Sequence, residues 1–232
     1  MRRLVSAAQA DHRIGMATPK VLNYYRRHEV YWDGGVIDWT SGDARHDSSN
    51  LSVDGAVIRS EWLDGCALFV RVAAIHDIGL LDERYFLYFE DAEWSVRAAR
   101  RGWANVVVLD AQAWHKVGAS TGGFENPVMR FYHFRNRYLF GSTHYPFRGR
   151  LQWKLSYLWN MACSYVRVRH ERENRQVFLS VLASLLLGTT GAYRDTVSAR
   201  RLTGGLDTVL TWALTVGSAV KKLFPRSKSA GS

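Results

Sequence analysis

An α/β fold is what the sequence predicts, and three stretches carry that prediction. Cys66–Val72 (Cys-Ala-Leu-Phe-Val-Arg-Val) is a mostly apolar run that suits a buried strand. Asp91–Arg101 has acids at its start, Arg97, Arg100 and Arg101 at its end, and Gly102 just beyond. Those charges match a helix dipole at both ends, and the glycine suits a left-handed cap. Trp103–Leu109 (Trp-Ala-Asn-Val-Val-Val-Leu) is a β-branched strand. A sheet with flanking helices follows, with a helical, basic and aromatic-rich region after it.

In chain order, residues 2–10 suit the end of a helix. Ile14–Tyr25 alternates weakly and reads as a strand broken at Pro19. Asp33-Gly34-Gly35 reads as a turn between two short strands within Val30–Trp39. Ser41–Asn50 is polar, without a period, and reads as a loop. Ala73–Ile78 reads as a short helix ending at Gly79. Asp110–Gly123, which holds Trp114-His115-Lys116, reads as a loop. The expected organisation is one domain over residues 1–125, a helical region over 126–222 and a disordered tail over 223–232.

The 232 residues are 47% hydrophobic, enough for one substantial core. Cys66 and Cys163 lie far apart, so neither a disulfide framework nor a zinc spacing is present, and a reducing compartment fits. Charge is uneven. Residues 1–125 carry 14 Lys+Arg and 17 Asp+Glu, a net −3; residues 126–232 carry 17 and 4, a net +13. Such a basic second part calls for an anionic partner.

The chemistry centres on residues 79–93, Gly-Leu-Leu-Asp-Glu-Arg-Tyr-Phe-Leu-Tyr-Phe-Glu-Asp-Ala-Glu. Glu90 and Asp91 stand where a helix begins, behind an aromatic run. A carboxylate dried by aromatic walls is a candidate general base, and a carboxylate at a helix start is also a common cap. Asp64-Gly65-Cys66 precedes one strand and Trp114-His115 follows another. Loops at strand ends are where α/β folds collect chemistry. His115 is either a loop histidine or a metal ligand, and Asp64-Gly65 either a plain turn or a pocket border. Trp114 is either core or a substrate platform.

Taken together, these motifs resemble the second half of an inverting family-two glycosyltransferase of GT-A fold, in its rhamnosyltransferase-like branch. The likeness is carried by Asp64-Gly-Cys-Ala-Leu-Phe-Val-Arg71, Ile78 through Glu93, Arg97, Arg100-Arg-Gly102, and Trp114-His115 through Gly118-Ala-Ser120. It implies an incomplete GT-A-like, Rossmann-like sheet. Asp91 would take the proton of an acceptor hydroxyl, with Glu90 supporting it. Asp64, Gly65, Cys66 and Trp114 would border the substrate pocket. His115 would help hold Mg2+ or Mn2+ at the diphosphate. The implied donor is a nucleotide sugar, with rhamnose one candidate, and the implied acceptor a glycan or a lipid-linked glycan, as in polysaccharide assembly.

The family's nucleotide-binding half has no counterpart in residues 1–60, and Asp33, Asp38 and Asp43 lack the strand context of its metal motif. The expectation is therefore an acceptor-side half with little or no transfer by itself. Either the gene product is truncated or a partner chain supplies the donor side; a non-catalytic glycan- or membrane-binding remnant is the alternative. For residues 126–232, the uncharged runs Gln176–Tyr193 and Leu206–Val220 and the Trp, Tyr and Arg around them favour an anionic membrane surface. A peripheral place on the cytoplasmic face follows. Ordinary helical core ranks second, and single-stranded nucleic acid a distant third.

Overall fold

Strand β1 (Ile14–Asn23) is the axis of the main sheet. The computed structural model describes residues 1–47, 57–118, 126–168 and 171–187. Two compact units divide the chain, Met1–Leu155 and Ser156–Ser232. In the first, β1 runs parallel to the long strand β7 (Ala104–His115). The other edge of β1 takes two short antiparallel strands, β2 (Val30–Trp32) and β6 (Phe69–Val70). Strand β5 (Val57–Arg59) pairs antiparallel on the far side of β7. The sheet is mixed, with one parallel pair at its centre.

Both faces of this sheet are covered. Alternation along β7 sends Val106 and Val108 to one face and Val107 to the other. On the first face they pack with Ile14, Ala17 and with Leu4 and Ala8 of α1 (Arg2–Ala10). On the second, Val107 joins Met16, Val21, Trp32 and Leu63, with Ile78 of α2 (Val72–Ile78) and Trp94 and Ala98 of α3 (Glu90–Arg100). A third cluster is Ile37, Tyr85, Phe89, Ala92, Val96 and Phe140. It joins a hairpin, β3 (Gly35–Asp38) with β4 (Asp43–His46), to α3 and to α4 (Pro127–His144).

Several sequence expectations need correction. Pro19 does not interrupt β1; it coincides with a register shift against β7 between Pro19 and Lys20. The Asp33–Gly35 turn separates two strands that do not pair with each other: β2 joins the main sheet and β3 the hairpin. Gly34 at φ 156 lets the chain change sheets there. Residues 43–46, expected as loop, are strand β4; Asn50 and the end of that stretch lie outside the described residues. The apolar run after Asp64 is a 3-10 turn (Gly65–Ala67) and a two-residue strand whose Phe69 and Val70 are only half-buried. Strand β7 continues through His115, where a loop was expected, because after the register shift Gln112–His115 pair with Lys20–Asn23 of β1.

Helix α4 is fixed at its start by Asn126, whose Oδ1 accepts the Val128 N–H at 2.9 Å, with Pro127 as first helical residue. Its Phe131, Tyr132, Arg135, Asn136 and Phe140 are buried, so much of the aromatic and arginine run is core. Helix α5 (Phe147–Val168) follows. In α6 (Arg172–Leu187), Val177, Phe178, Leu179, Val181 and Leu182 are buried. No helix among the described residues is long and apolar enough to cross a membrane. Leu206–Val220 and the tail lie outside the described residues.

Candidate active site

The 3-10 turn after Leu63 and the start of α3 meet at one wall of an open cavity of about 440 Å³. Leu63 is fully buried, and its N–H donates to Ser95 Oγ of α3 at 3.1 Å, which ties the two elements together. Asp64 caps the turn: its Oδ1 accepts the Cys66 N–H at 2.8 Å. The Gly65 N–H then points across to Asp91 and donates to Oδ2 at 2.9 Å. The resemblance placed Gly65 at the border of the substrate pocket, and it lines this cavity. It also comes close to Asp91: a Cβ on residue 65 would sit 3.4 Å from the Asp91 Cβ and Oδ2.

Helix α3 begins without a side-chain cap from its N-cap residue, because that residue is Phe89. Phe89 (φ 70) and Tyr88 (φ 65) both take the left-handed conformation, uncommon for aromatic residues. Each such residue costs about 1–2 kcal/mol, so something must hold them there. Two groups do. The Phe89 ring is buried against Phe140 and His133. Asn136 of α4, itself 0% exposed, donates from Nδ2 to the Leu87 carbonyl at 2.7 Å and the Tyr88 carbonyl at 2.8 Å. The amide is oriented in turn by Arg135, whose Nε donates to Asn136 Oδ1 at 2.8 Å. Arg135 also donates to the Arg84 carbonyl. The aromatic turn is therefore clamped from α4, and it sets where Glu90 and Asp91 stand.

Asp91 stands in the first turn of α3, past the N-cap residue, and lines the cavity. Its Oδ1 accepts the Ala92 N–H at 2.7 Å within the first turn of α3, and its Oδ2 serves Gly65. Each oxygen keeps a lone pair for a further donor. Asp91 is half-buried. Desolvation, then the Glu90 charge, push its pKa up to about 7, against the Gly65 and Ala92 N–H groups, which favour the anion. Glu90 is also raised, by burial first and by Asp64 in lesser part, and its Oε2 is buried without a hydrogen-bond partner. No ion pair among the described residues involves Asp64, Glu90 or Asp91. Burial and then the Asp64 carboxylate raise the Cys66 thiol, which keeps it protonated and poorly nucleophilic.

His115 lines the same cavity, half-buried at the end of β7, with Tyr31 edge-on to its ring at 5.3 Å between centroids. Its Nδ1 is buried without a hydrogen-bond partner. Desolvation, then Asp64, push the Tyr31 phenol up to about 12. Trp62, Tyr88 and His133 complete the wall. Burial lowers the pKa of His133 while Asp43, 3.8 Å from its Nε2, opposes this.

Asp64, Gly65, Cys66, Glu90, Asp91 and His115 thus line one cavity. Trp114 does not line it. Successive residues of a strand point to opposite faces, and Trp114 is 46% exposed with its Nε1 donating to the Arg27 carbonyl at 3.3 Å. Tyr88 belongs to the aromatic run that the sequence placed before the carboxylates; the cavity residues Tyr31 and His133, and Asn136 behind them, were not singled out. The signal for the last two was the i, i+3, i+7 spacing of His133, Asn136 and Phe140 on one helix face. The implied metal does not fit these residues. Among the described residues no three His, Cys, Asp or Glu side chains are placed to hold an ion, and one imidazole is a poor site for Mg2+ or Mn2+. Asp33, Asp38 and Asp43 are committed elsewhere, to His46, to Arg45 and Ser41, and to Arg137.

No protein-family model matches the chain. A solved structure of GalNAc-T7 with UDP, GalNAc and Mn2+ overlays on 87% of this chain and 35% of its own, at TM-score 0.45 and 14% identity, a likeness too weak to carry fold or function. Two curated relatives, from two strains of Mycobacterium tuberculosis, are N-acetylglucosaminyl-diphospho-decaprenol L-rhamnosyltransferases. Each is 35% identical over 97 residues, which is 40% of this chain. The chain is similar to these rhamnosyltransferases over that stretch and covers 31% of the length of each.

Proposed function

We propose that the cavity is the acceptor pocket of an inverting glycosyl transfer and that Asp91 is its general base. One observation carries the reading: a half-buried carboxylate, held by two backbone N–H groups, without a cation, and with a proton affinity near neutrality. An acceptor hydroxyl would donate to a free lone pair of Asp91. As that oxygen attacks the anomeric carbon, its proton passes to the Asp91 carboxylate. The bond from the anomeric carbon to the phosphate oxygen breaks on the opposite face, the nucleoside diphosphate departs with that electron pair, and the configuration inverts. The Glu90 charge raises the affinity of Asp91 for the proton it receives. Tyr31, Trp62 and Tyr88 offer apolar ring faces for a sugar to rest on.

The relatives' activity suggests the substrates: rhamnose as the donated sugar, for which dTDP-rhamnose is the activated form to test, and an N-acetylglucosaminyl diphospho-prenol as acceptor. The test is transfer of labelled sugar between these two compounds, comparing wild type with Asp91→Asn. It is run with and without a donor-binding segment supplied in trans, since the chain covers 31% of the length of each relative. Transfer that survives Asp91→Asn, or none in either mixture, rejects the reading. Acceptor binding without transfer would instead identify a glycan-binding module.

A further inference from the structure

Helix α5 is apolar on two opposite faces and buries one of them. Trp153, Tyr157, Met161 and Tyr165 recur every four residues and are all buried. Phe147, Leu151 and Leu155 recur at the same interval and are 86%, 70% and 59% exposed. Leu151 and Leu155 each stand two residues from Trp153, about 200° around the helix and so on its far side. Trp159, 57% exposed, continues the exposed interval along the same helix. Single exposed leucines need no explanation, but an ordered stripe of Phe, Leu, Leu and Trp does. The charge beside it has one sign. Helix α5 contains Arg148, Arg150, Lys154 and Arg167 and no acidic residue. Arg150 is engaged by the Tyr145 and Thr143 carbonyls, whereas Arg148 is exposed and Lys154 half-exposed on either side of the stripe.

From this we infer that the outer face of α5 is a docking surface for an anionic lipid bilayer, lying in the headgroup plane. Phe, Leu and Trp would enter the acyl boundary while Arg148 and Lys154 meet lipid phosphates. The net +13 of residues 126–232 supplies long-range attraction of the same sign. A protein partner would be expected to match the cations with acids at discrete positions, whereas a bilayer needs only the stripe and the sign. The sequence alone pointed to Gln176–Tyr193 and Leu206–Val220 for this role. Val177, Phe178, Leu179, Val181 and Leu182 of the first run are buried and the second lies outside the described residues, so the surface is placed on α5.

The experiment is co-sedimentation of the full chain with phosphatidylcholine vesicles, with and without phosphatidylglycerol. Binding is expected with the anionic vesicles, weakened by salt. Leu151→Glu with Leu155→Glu should lower the partition coefficient by about tenfold or more, since two leucines leave the acyl boundary. Both positions are exposed, so far-ultraviolet circular dichroism should be unchanged. A second variant, Arg148→Glu with Lys154→Glu, should abolish the preference for anionic vesicles and leave the fold intact. The inference is overturned by no binding to either vesicle, by equal binding of the leucine variant, or by a concentration-dependent dimer that the leucine variant abolishes without vesicle binding.

Discussion

Replacing Asp91 by Asn should make the protein more stable at neutral and alkaline pH. The ionised carboxylate is disfavoured in the fold, since its pKa is raised from 3.8 to about 7. At about 1.4 kcal/mol per tenfold change in proton affinity, the folded state bears up to about 4 kcal/mol of cost once Asp91 is charged. A raised acid binds more protons folded than unfolded between pH 4 and 7. Stability therefore falls as pH rises through that window and is level above it. Asn carries no charge, but it keeps only one acceptor oxygen for the two N–H groups of Gly65 and Ala92. Losing one of those bonds costs about 1 kcal/mol. The net expectation is a gain of about 1–3 kcal/mol at pH 8.5, and at pH 4 a small loss from the missing bond. Urea unfolding of both proteins at the two pH values measures it. A variant less stable than wild type at pH 8.5, or a difference that does not change with pH, would refute the assignment of Asp91 as a desolvated carboxylate maintained at a stability cost.

Three further outcomes follow from packing. Asn136→Ala removes two hydrogen bonds to the Leu87 and Tyr88 carbonyls and leaves them unpaired in a buried place, so urea unfolding should show a loss of about 2–4 kcal/mol. Gly141→Ala puts a Cβ 2.1 Å from the buried Trp153 ring, and thermal unfolding should register a loss of about 1–3 kcal/mol, with altered tryptophan fluorescence. Trp114→Ala should leave acceptor binding unchanged within about twofold in titration calorimetry, because that ring points away from the cavity.

What the sequence made legible follows from how local its signals were. Helix α3 was readable because both its ends carry charge and Gly102 takes φ 88 just past it. Strand β7 was readable in its β-branched half, but not over residues 110–115, where the strand is held by its long pairing with β1 rather than by its own composition. The short strand β6 was overestimated because an apolar run does not tell a strand from a tight turn feeding a helix. At the site, Asp64, Gly65, Glu90, Asp91 and His115 were found because their motifs stand in order along the chain. Gly65 lines the cavity and also donates to Asp91, whereas Trp114 does not line it. The clamp by Asn136 was illegible because it joins residues nearly fifty positions apart, and its Arg-Asn-Arg setting looked like a charged surface. The burial of Arg135 and Asn136 is a tertiary fact that composition cannot carry.

An acceptor seated against Asp91 would be read out by backbone and carboxyl chemical shifts. A short-chain N-acetylglucosaminyl diphospho-prenol titrated into the isotope-labelled protein should give saturable shifts at Gly65, Cys66, Asp91, Ala92 and His115. The Asp91 carboxyl should titrate near pH 7 in the free protein. The Trp114 indole signal should stay in place. Saturable shifts confined to other parts of the first unit, no saturation, or an Asp91 carboxyl that titrates near pH 4 would contradict the assignment of this cavity and of its base.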